Sequence, residues 1–205
     1  MLRTKSNAPY HADYELILSL IEPRSKVLDL GCGNGELLYR LIHERQVNGR
    51  GVDINEKNII QCITKGLSVF QGNIDEGLAE YQDKSYDYVI LNQTLQATHK
   101  PEFVIKEMLR VGKKAIVSFP NFAHWQLRAQ LFFSGRMPKT SHLPFEWYDT
   151  VNIRFLTIRD FRVFCKQKDI HILQEIDMGY FGQNLIARIN PNLFAVEGLF
   201  IITER

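Results

Sequence analysis

The chain has 205 residues, a formal net charge of +2, 45% hydrophobic and 23% charged residues. That is long enough for one domain with a sizeable core, and ordinary for a globular protein. The near-neutral charge, with no basic stretch interleaved with aromatics, argues against a nucleic-acid partner, and no apolar run is long enough to span a bilayer.

Met1 to His11 is polar and lacks the apolar core of a signal peptide. Tyr14, Leu16, Ile17, Leu20 and Ile21 predict an amphipathic helix that Pro23 closes. Lys26 to Leu30 reads as a buried strand running into Gly31, Gly33 and Gly35. Leu37, Leu38, Leu41 and Ile42 then share one face of a helix from Glu36 to Glu44. Asn48-Gly49 is a turn signal, and Arg50 to Ile54 the second strand. Asn55 is an N-cap for a helix through about Thr64, and Gly66 ends it. Ser68 to Gln71 is a short third strand ending in Gly72-Asn73-Ile74-Asp75. After a turn at Asp83 to Ser85, Tyr86 to Leu91 is a buried fourth strand that stops at Asn92-Gln93. Pro101 suits the first turn of a helix to about Arg110. Gly112 closes that helix, and Lys114 to Phe119 is the fifth strand.

The second half changes character. A helix is expected from about Trp125 to Phe133, followed by an irregular, aromatic-rich excursion. Thr157 caps another helix through about Gln167, with Asp160 in its first turn. Ile170 to Ile176 and Leu199 to Thr203 read as the last two strands, an antiparallel pair expected at the sheet edge; Leu185 to Phe194 is ambiguous. With no repeat, low-complexity tract or linker, residues 1–205 are expected to form one domain, with an insertion or cap at about 121–155. The alternation of apolar runs and helices predicts a doubly wound, mostly parallel α/β sheet of seven strands, the last one antiparallel.

Cys32, Cys62 and Cys165 have neither C-x-x-C spacing nor a partnered histidine, so no metal is expected, and scattered thiols suit a reducing cytoplasm. Cys32 reads as a small residue filling the glycine turn rather than a reactive thiol. That turn is not the dinucleotide fingerprint, which needs G-x-G-x-x-G. Here the spacing is G-x-G-x-G, Asp29 stands two residues before it, and Asp53 follows at the end of the next strand. A glycine turn could merely pack helix on sheet. Strand, D-x-G-x-G-x-G, helix, strand and acid together resemble the nucleotide site of class I S-adenosylmethionine (SAM) dependent methyltransferases.

Ligands of an open α/β sheet lie outside the carboxyl ends of its strands. Gly31, Gly33 and Gly35 would let the backbone approach the methionine part of SAM, and Asp29 would orient its ammonium. Asp53 would take the ribose hydroxyls, with Ile54 beside it. Asn73 and Ile74 would meet the adenine, and Asn92 could bind the amino acid end. His99, His124 and Tyr10 are candidate bases, each with a plain structural alternative. Methyl transfer from a sulfonium needs positioning more than a base.

More particular stretches are Gln93-Thr94-Leu95-Gln96, Ser118-Phe119-Pro120-Asn121-Phe122, Gly135-Arg136-Met137-Pro138 and Leu143 to Thr150. Through these the sequence resembles the MetW family of methionine biosynthesis proteins; a departure is Val151, where proline is expected. The resemblance implies a bacterial cytoplasmic protein that works alongside homoserine O-acyltransferase. It names no methyl acceptor. The aromatics between Phe119 and Tyr148, with Arg128, Arg136, Trp147 and Tyr148 foremost, could anchor that partner, or could form a lid on their own sheet. Two functions follow: a binding partner holding SAM or S-adenosylhomocysteine, which we favour, or an independent methyltransferase acting on a small molecule or protein.

Overall fold

The computed structural model describes residues 12–140, 143–179, 182–183 and 189–205. An eight-stranded sheet, ordered β3-β2-β1-β4-β5-β8-β6-β7, forms its centre. β1 (Lys26–Leu30), β2 (Asn48–Asp53), β3 (Val69–Gln71), β4 (Tyr86–Leu91) and β5 (Gly112–Pro120) run parallel. β8 (Glu197–Glu204) is antiparallel to both β5 and β6 (Ile170–Gly179). β7 is only Gly182–Gln183, a short return on β6. The expected seven strands are all present, and this two-residue strand is the addition.

Helices cover both faces. Val27, Tyr88 and Ile90 point to one side, where Ile17 of α1 (Ala12–Leu20), Ile21 just past its end, and Leu37 and Leu41 of α2 (Glu36–Arg45) meet them. Leu28, Val89 and Leu91 point to the other, against Val104 and Met108 of α4 (Pro101–Val111) and Phe161 of α6 (Ile158–Gln167). Strand side chains alternate between faces, so a run that is apolar at every position must have cover on both. A smaller cluster forms at α3 (Glu56–Thr64), whose Cys62 packs with Cys32, Leu38 and Leu67.

Local signals hold where their chemistry is short-range. The Asn55 side chain accepts from the Lys57 amide. At α6, Thr157 and Asp160 form a reciprocal capping box. α5 (Trp125–Ser134) and the helical turn Pro191–Phe194 are further helices among the described residues.

One expectation is corrected. Asn48-Gly49 is not a turn but the start of β2, facing Lys26 and Val27 of β1. The chain reverses at Gln46 instead, in the left-handed region at φ 56°, with its N–H donated to Leu41. Gly49 is small because a Cβ there would stand 2.6 Å from Leu38 Cδ1. The antiparallel pair of β6 and β8 closes its end of the sheet as expected, with only the two-residue β7 beyond it. β8 lies between β5 and β6 and pairs with both, which is why Glu197 to Ile202 are all buried.

Candidate functional site

The turn after β1 is fixed by β2. The amides of Gly31 and Cys32 both donate to the Val52 carbonyl, at 2.8 and 3.0 Å. Gly31, Gly33 and Gly35 all have positive φ, at 67°, 55° and 76°. Their surroundings differ. A Cβ on Gly31 would collide with Thr94, and one on Gly35 with Leu67 and Cys62. At Gly33 it would meet nothing within 4 Å. So Gly31 and Gly35 are small to pack the protein, whereas Gly33 presents bare backbone to open space. Cys32 is buried, its sulfur filling the space where Gly51 lacks a side chain. Burial pushes its thiol well above the ordinary range, which suits packing rather than reactivity.

A cleft of about 340 Å³ opens at the carboxyl ends of the strands. It brings together Gly31, Asp53, Ile54, Asn73, Ile74 and His99. Asp53 is buried, and its Oδ2 accepts from the Gly33 amide at 2.8 Å. Its Oδ1 accepts from the Asn55 amide and the Asn58 side chain. Asn73 lines the cleft while capping the turn that follows, accepting from the Asp75 amide and donating to Glu76.

Other predicted residues lie outside the cleft lining. Asp29 is fully buried beneath the turn, and its Oδ2 has no hydrogen-bond partner among the described residues. Burial, reinforced by the nearby Asp53 carboxylate, pushes its pKa up to about 7. Asn92 donates to Asp13 at 2.8 Å and accepts from the Ser118 hydroxyl, so both ends of its amide are engaged. His124 is buried and caps α5. Tyr10 lies outside the described residues.

Sequence reasoning missed two contributors to the cleft and one buried acid outside its lining. Thr94 walls the cleft against Gly31, and its hydroxyl donates to the Asn92 carbonyl. Asp75 is buried and accepts from the amides of His99 and Lys100, joining the loops after β3 and β4 across 24 residues of sequence. Nothing local signals that tie. Glu197 is buried, with Oε1 unpartnered among the described residues, and burial beside Asp13 pushes its pKa up to about 8. The available signal was one acid inside the apolar run Ala195 to Ile202.

The aromatic excursion divides. Phe119 is core, stacked on Phe200, and Phe122 packs on Phe155. Phe132, Phe133, Trp147 and Tyr148 are instead 82%, 83%, 72% and 70% exposed. Arg128 is exposed too, with its guanidinium donating to the carbonyls of Ala123 and Asn192.

Compared with known proteins, residues 11–202 match the family model described as methionine biosynthesis protein MetW. Over 201 residues the chain is 39% identical to the bifunctional methionine biosynthesis protein MetXA/MetW of Rhodopirellula baltica, covering 93% of this chain and 32% of that protein. It is 30% identical over 144 residues to the ubiquinone biosynthesis O-methyltransferase of Hahella chejuensis, covering 64% and 55%. The chain thus spans about a third and about half of these relatives' lengths. A SAM-dependent methyltransferase from Archaeoglobus fulgidus superposes with a TM-score of 0.66 at 17% identity, over 93% of this chain and 94% of that one. At that identity the likeness establishes the fold, which is the class I methyltransferase type. Among the described residues, no helix is long and apolar enough to cross a membrane.

Proposed function

The chain belongs to the MetW family of methionine biosynthesis proteins, and from that premise we propose that it is a cytoplasmic SAM-binding partner of homoserine O-acyltransferase. One observation carries this reading: in the Rhodopirellula baltica relative, MetXA and MetW form one bifunctional protein. Fusion holds two modules at high effective concentration, which is useful when they act together.

The surface agrees with a partner role. A lid packed on its own sheet would bury its aromatics, yet Phe132, Phe133, Trp147 and Tyr148 lie mostly in solvent. Large apolar patches are rare on proteins that act alone, and aromatics with arginine are the usual interface anchors. We place the partner on this face, with Arg136 at its border.

The cleft residues fit SAM or S-adenosylhomocysteine. Gly33 offers open backbone, and the Asp53 oxygens keep acceptor capacity for ribose hydroxyls. Ile54, Asn73 and Ile74 line the cleft, where they would meet the adenine. When bound, SAM would supply an electrophilic methyl group. A second reading, an independent methyltransferase, is favoured by the identity to the O-methyltransferase and by His99 in the cleft lining, where its ring could take a proton from an acceptor.

Calorimetric titration with SAM and S-adenosylhomocysteine, with and without the acyltransferase, tests this. Micromolar binding that changes with the partner is expected, since coupling between two sites is reciprocal. Binding indifferent to the partner would favour the independent enzyme, and no binding would refute the cofactor assignment.

A further inference from the structure

Within the aromatic excursion lies a pocket of about 250 Å³, walled by Phe122, Met137, Phe145, Trp147 and Phe155. The excursion's own bonds fix these walls. The Gln130 side chain accepts from the Lys139 amide at 3.0 Å, Thr140 and Leu143 exchange backbone hydrogen bonds, and the Phe122 ring lies 4.6 Å from that of Phe155. Asn152 stands in the same lining and is only 8% exposed. Its backbone amide donates to the Thr150 hydroxyl at 3.0 Å, but its side-chain amide hydrogen-bonds to no described residue. That amide is nevertheless not among the side-chain atoms sealed from solvent. A polar group so placed is unfavourable until something bonds to it, so the pocket gains most from an occupant that brings a hydrogen-bonding group as well as apolar surface.

Size, shape and charge select the occupant. Sites for whole small molecules run to about 300–1,000 Å³, and this smaller pocket suits one large side chain. Walls of aromatic rings and a thioether favour an aromatic one. An asparagine amide presents an acceptor beside two donors, which complements a peptide group. From Asn121 to Phe145 there is no Asp or Glu, but there are Arg128, Arg136 and Lys139. Arg128 is engaged by backbone carbonyls and Lys139 by Glu146. Arg136, next to Met137, is exposed and makes no ion pair among the described residues. The charge left free at the border is therefore positive, and it complements an acid.

We propose that the partner protein docks by placing one aromatic side chain in this pocket, with a peptide group of the same segment held by the Asn152 amide and a neighbouring acid held by Arg136. The inference rests on the partner reading above and deepens it. It turns a broad exposed face into one anchor point with a stated chemistry: an aromatic residue beside an Asp or Glu on the partner's surface. The exposed rings of Phe132, Phe133 and Tyr148 then surround the anchor and exclude water, as the rim of an interface does.

The test sets calorimetric affinity of the full chain for homoserine O-acyltransferase beside urea denaturation of the chain alone. Asn152→Leu keeps the side chain's shape and removes its amide. Because that amide bonds to no described residue, the urea midpoint should hold or rise, while affinity for the acyltransferase falls about tenfold. An amide with a merely structural role would lower the midpoint instead. If Asn152→Leu misfolds, Asn152→Asp, which loses the donors at the same size, is read for affinity in its place. Arg136→Glu should weaken the complex at low salt, and less at about 1 M salt. In chain labelled with fluorotryptophan, the fluorine resonance of Trp147 should shift when the acyltransferase binds. Affinity unchanged in the Asn152 variant, with the Trp147 resonance unmoved, would overturn the pocket and leave the partnership standing. An altered oligomeric state of that variant with intact acyltransferase binding would also overturn it, giving the pocket to a second copy of this chain. Failure of the wild type to bind the acyltransferase would overturn partnership and pocket together.

Discussion

The backbone N–H of Gly33 donates to Oδ2 of Asp53 across 2.8 Å, tying the turn after β1 to the end of β2. The same carboxylate holds the Asn55 amide and the Asn58 side chain, which start α3. The acid we propose for the ribose is therefore also the clasp that shapes the glycine turn.

Removing that clasp should cost both stability and binding. Asp53→Ala strands three donors, two of them backbone amides. We expect a loss of about 2–4 kcal/mol in chemical denaturation and no measurable SAM binding by calorimetry. Asp53→Asn keeps one acceptor oxygen and should lose less stability. A variant with alanine at this position that binds SAM normally would remove Asp53 from the site.

The glycines should separate by role. Gly33→Ala and Gly35→Ala both place a side chain at positive φ, costing about 1 kcal/mol each. Only the second also drives a Cβ to within 2.7 Å of Leu67 and Cys62. Urea denaturation should therefore show Gly35→Ala less stable by a further 1–3 kcal/mol or so. Gly33→Ala should keep most of its stability yet bind SAM poorly, because its methyl stands in the open space a ligand would use. Equal destabilisation of the two would contradict this division.

What the sequence made legible follows from the range of the forces involved. Caps at Asn55 and Thr157 are local hydrogen bonds, and both were readable within four residues. Strand positions were readable because burial on both faces demands unbroken apolar runs. The order within the last strand pair was not, since setting β8 between β5 and β6 depends on pairing across the whole sheet. Asn48-Gly49 misled because glycine serves two ends, a turn or a close approach, and here Leu38 decides. In the site, Gly33, Asp53 and Asn73 carry a motif, whereas Asp75 and Glu197 matter only through contacts with residues far away in the chain.

Asp29 should also mark the stability curve. Its folded pKa, about 7, lies above the ordinary carboxylate value, so the folded state holds a proton that the unfolded chain gives up. Its contribution is complete in acid below the unfolded pKa and is lost as pH rises through about 7. Asp29→Asn, neutral throughout, should flatten this part of the profile and be more stable than the wild type at pH values above it. Thermal melts across that interval measure the effect; parallel profiles for the two proteins would mean that Asp29 is charged at all these pH values.

The exposed aromatics should behave as surface, not core. Trp147→Ala and Phe133→Ala remove side chains that are 72% and 83% exposed, so each should change folding stability by no more than about 0.5 kcal/mol. If this face meets the acyltransferase, each should weaken co-elution of the two proteins tenfold or more, a loss of about 1.4 kcal/mol, as interface anchors do. Unchanged co-elution would move the interface elsewhere.

The same face is joined mechanically to the cleft. The amides of Ile153 and Arg154 both donate to the Gln96 carbonyl at 2.9 Å, and the Arg154 guanidinium donates to the His99 carbonyl at 2.8 Å. Thus the end of the aromatic excursion is laced to the loop after β4, whose Thr94, Ala97, Thr98 and His99 wall the cleft. A partner that shifts residues 145–151 would pull on that wall, and a ligand that orders the wall would set the excursion. Arg154→Ala cuts the side-chain link and keeps the two backbone bonds. It should leave the fold and each separate binding event within about twofold. Under the proposed partnership, the factor by which the acyltransferase changes SAM affinity, ordinarily about 5- to 150-fold in coupled systems, should fall toward one. Full coupling in the variant would show that the partner reaches the cleft by another route.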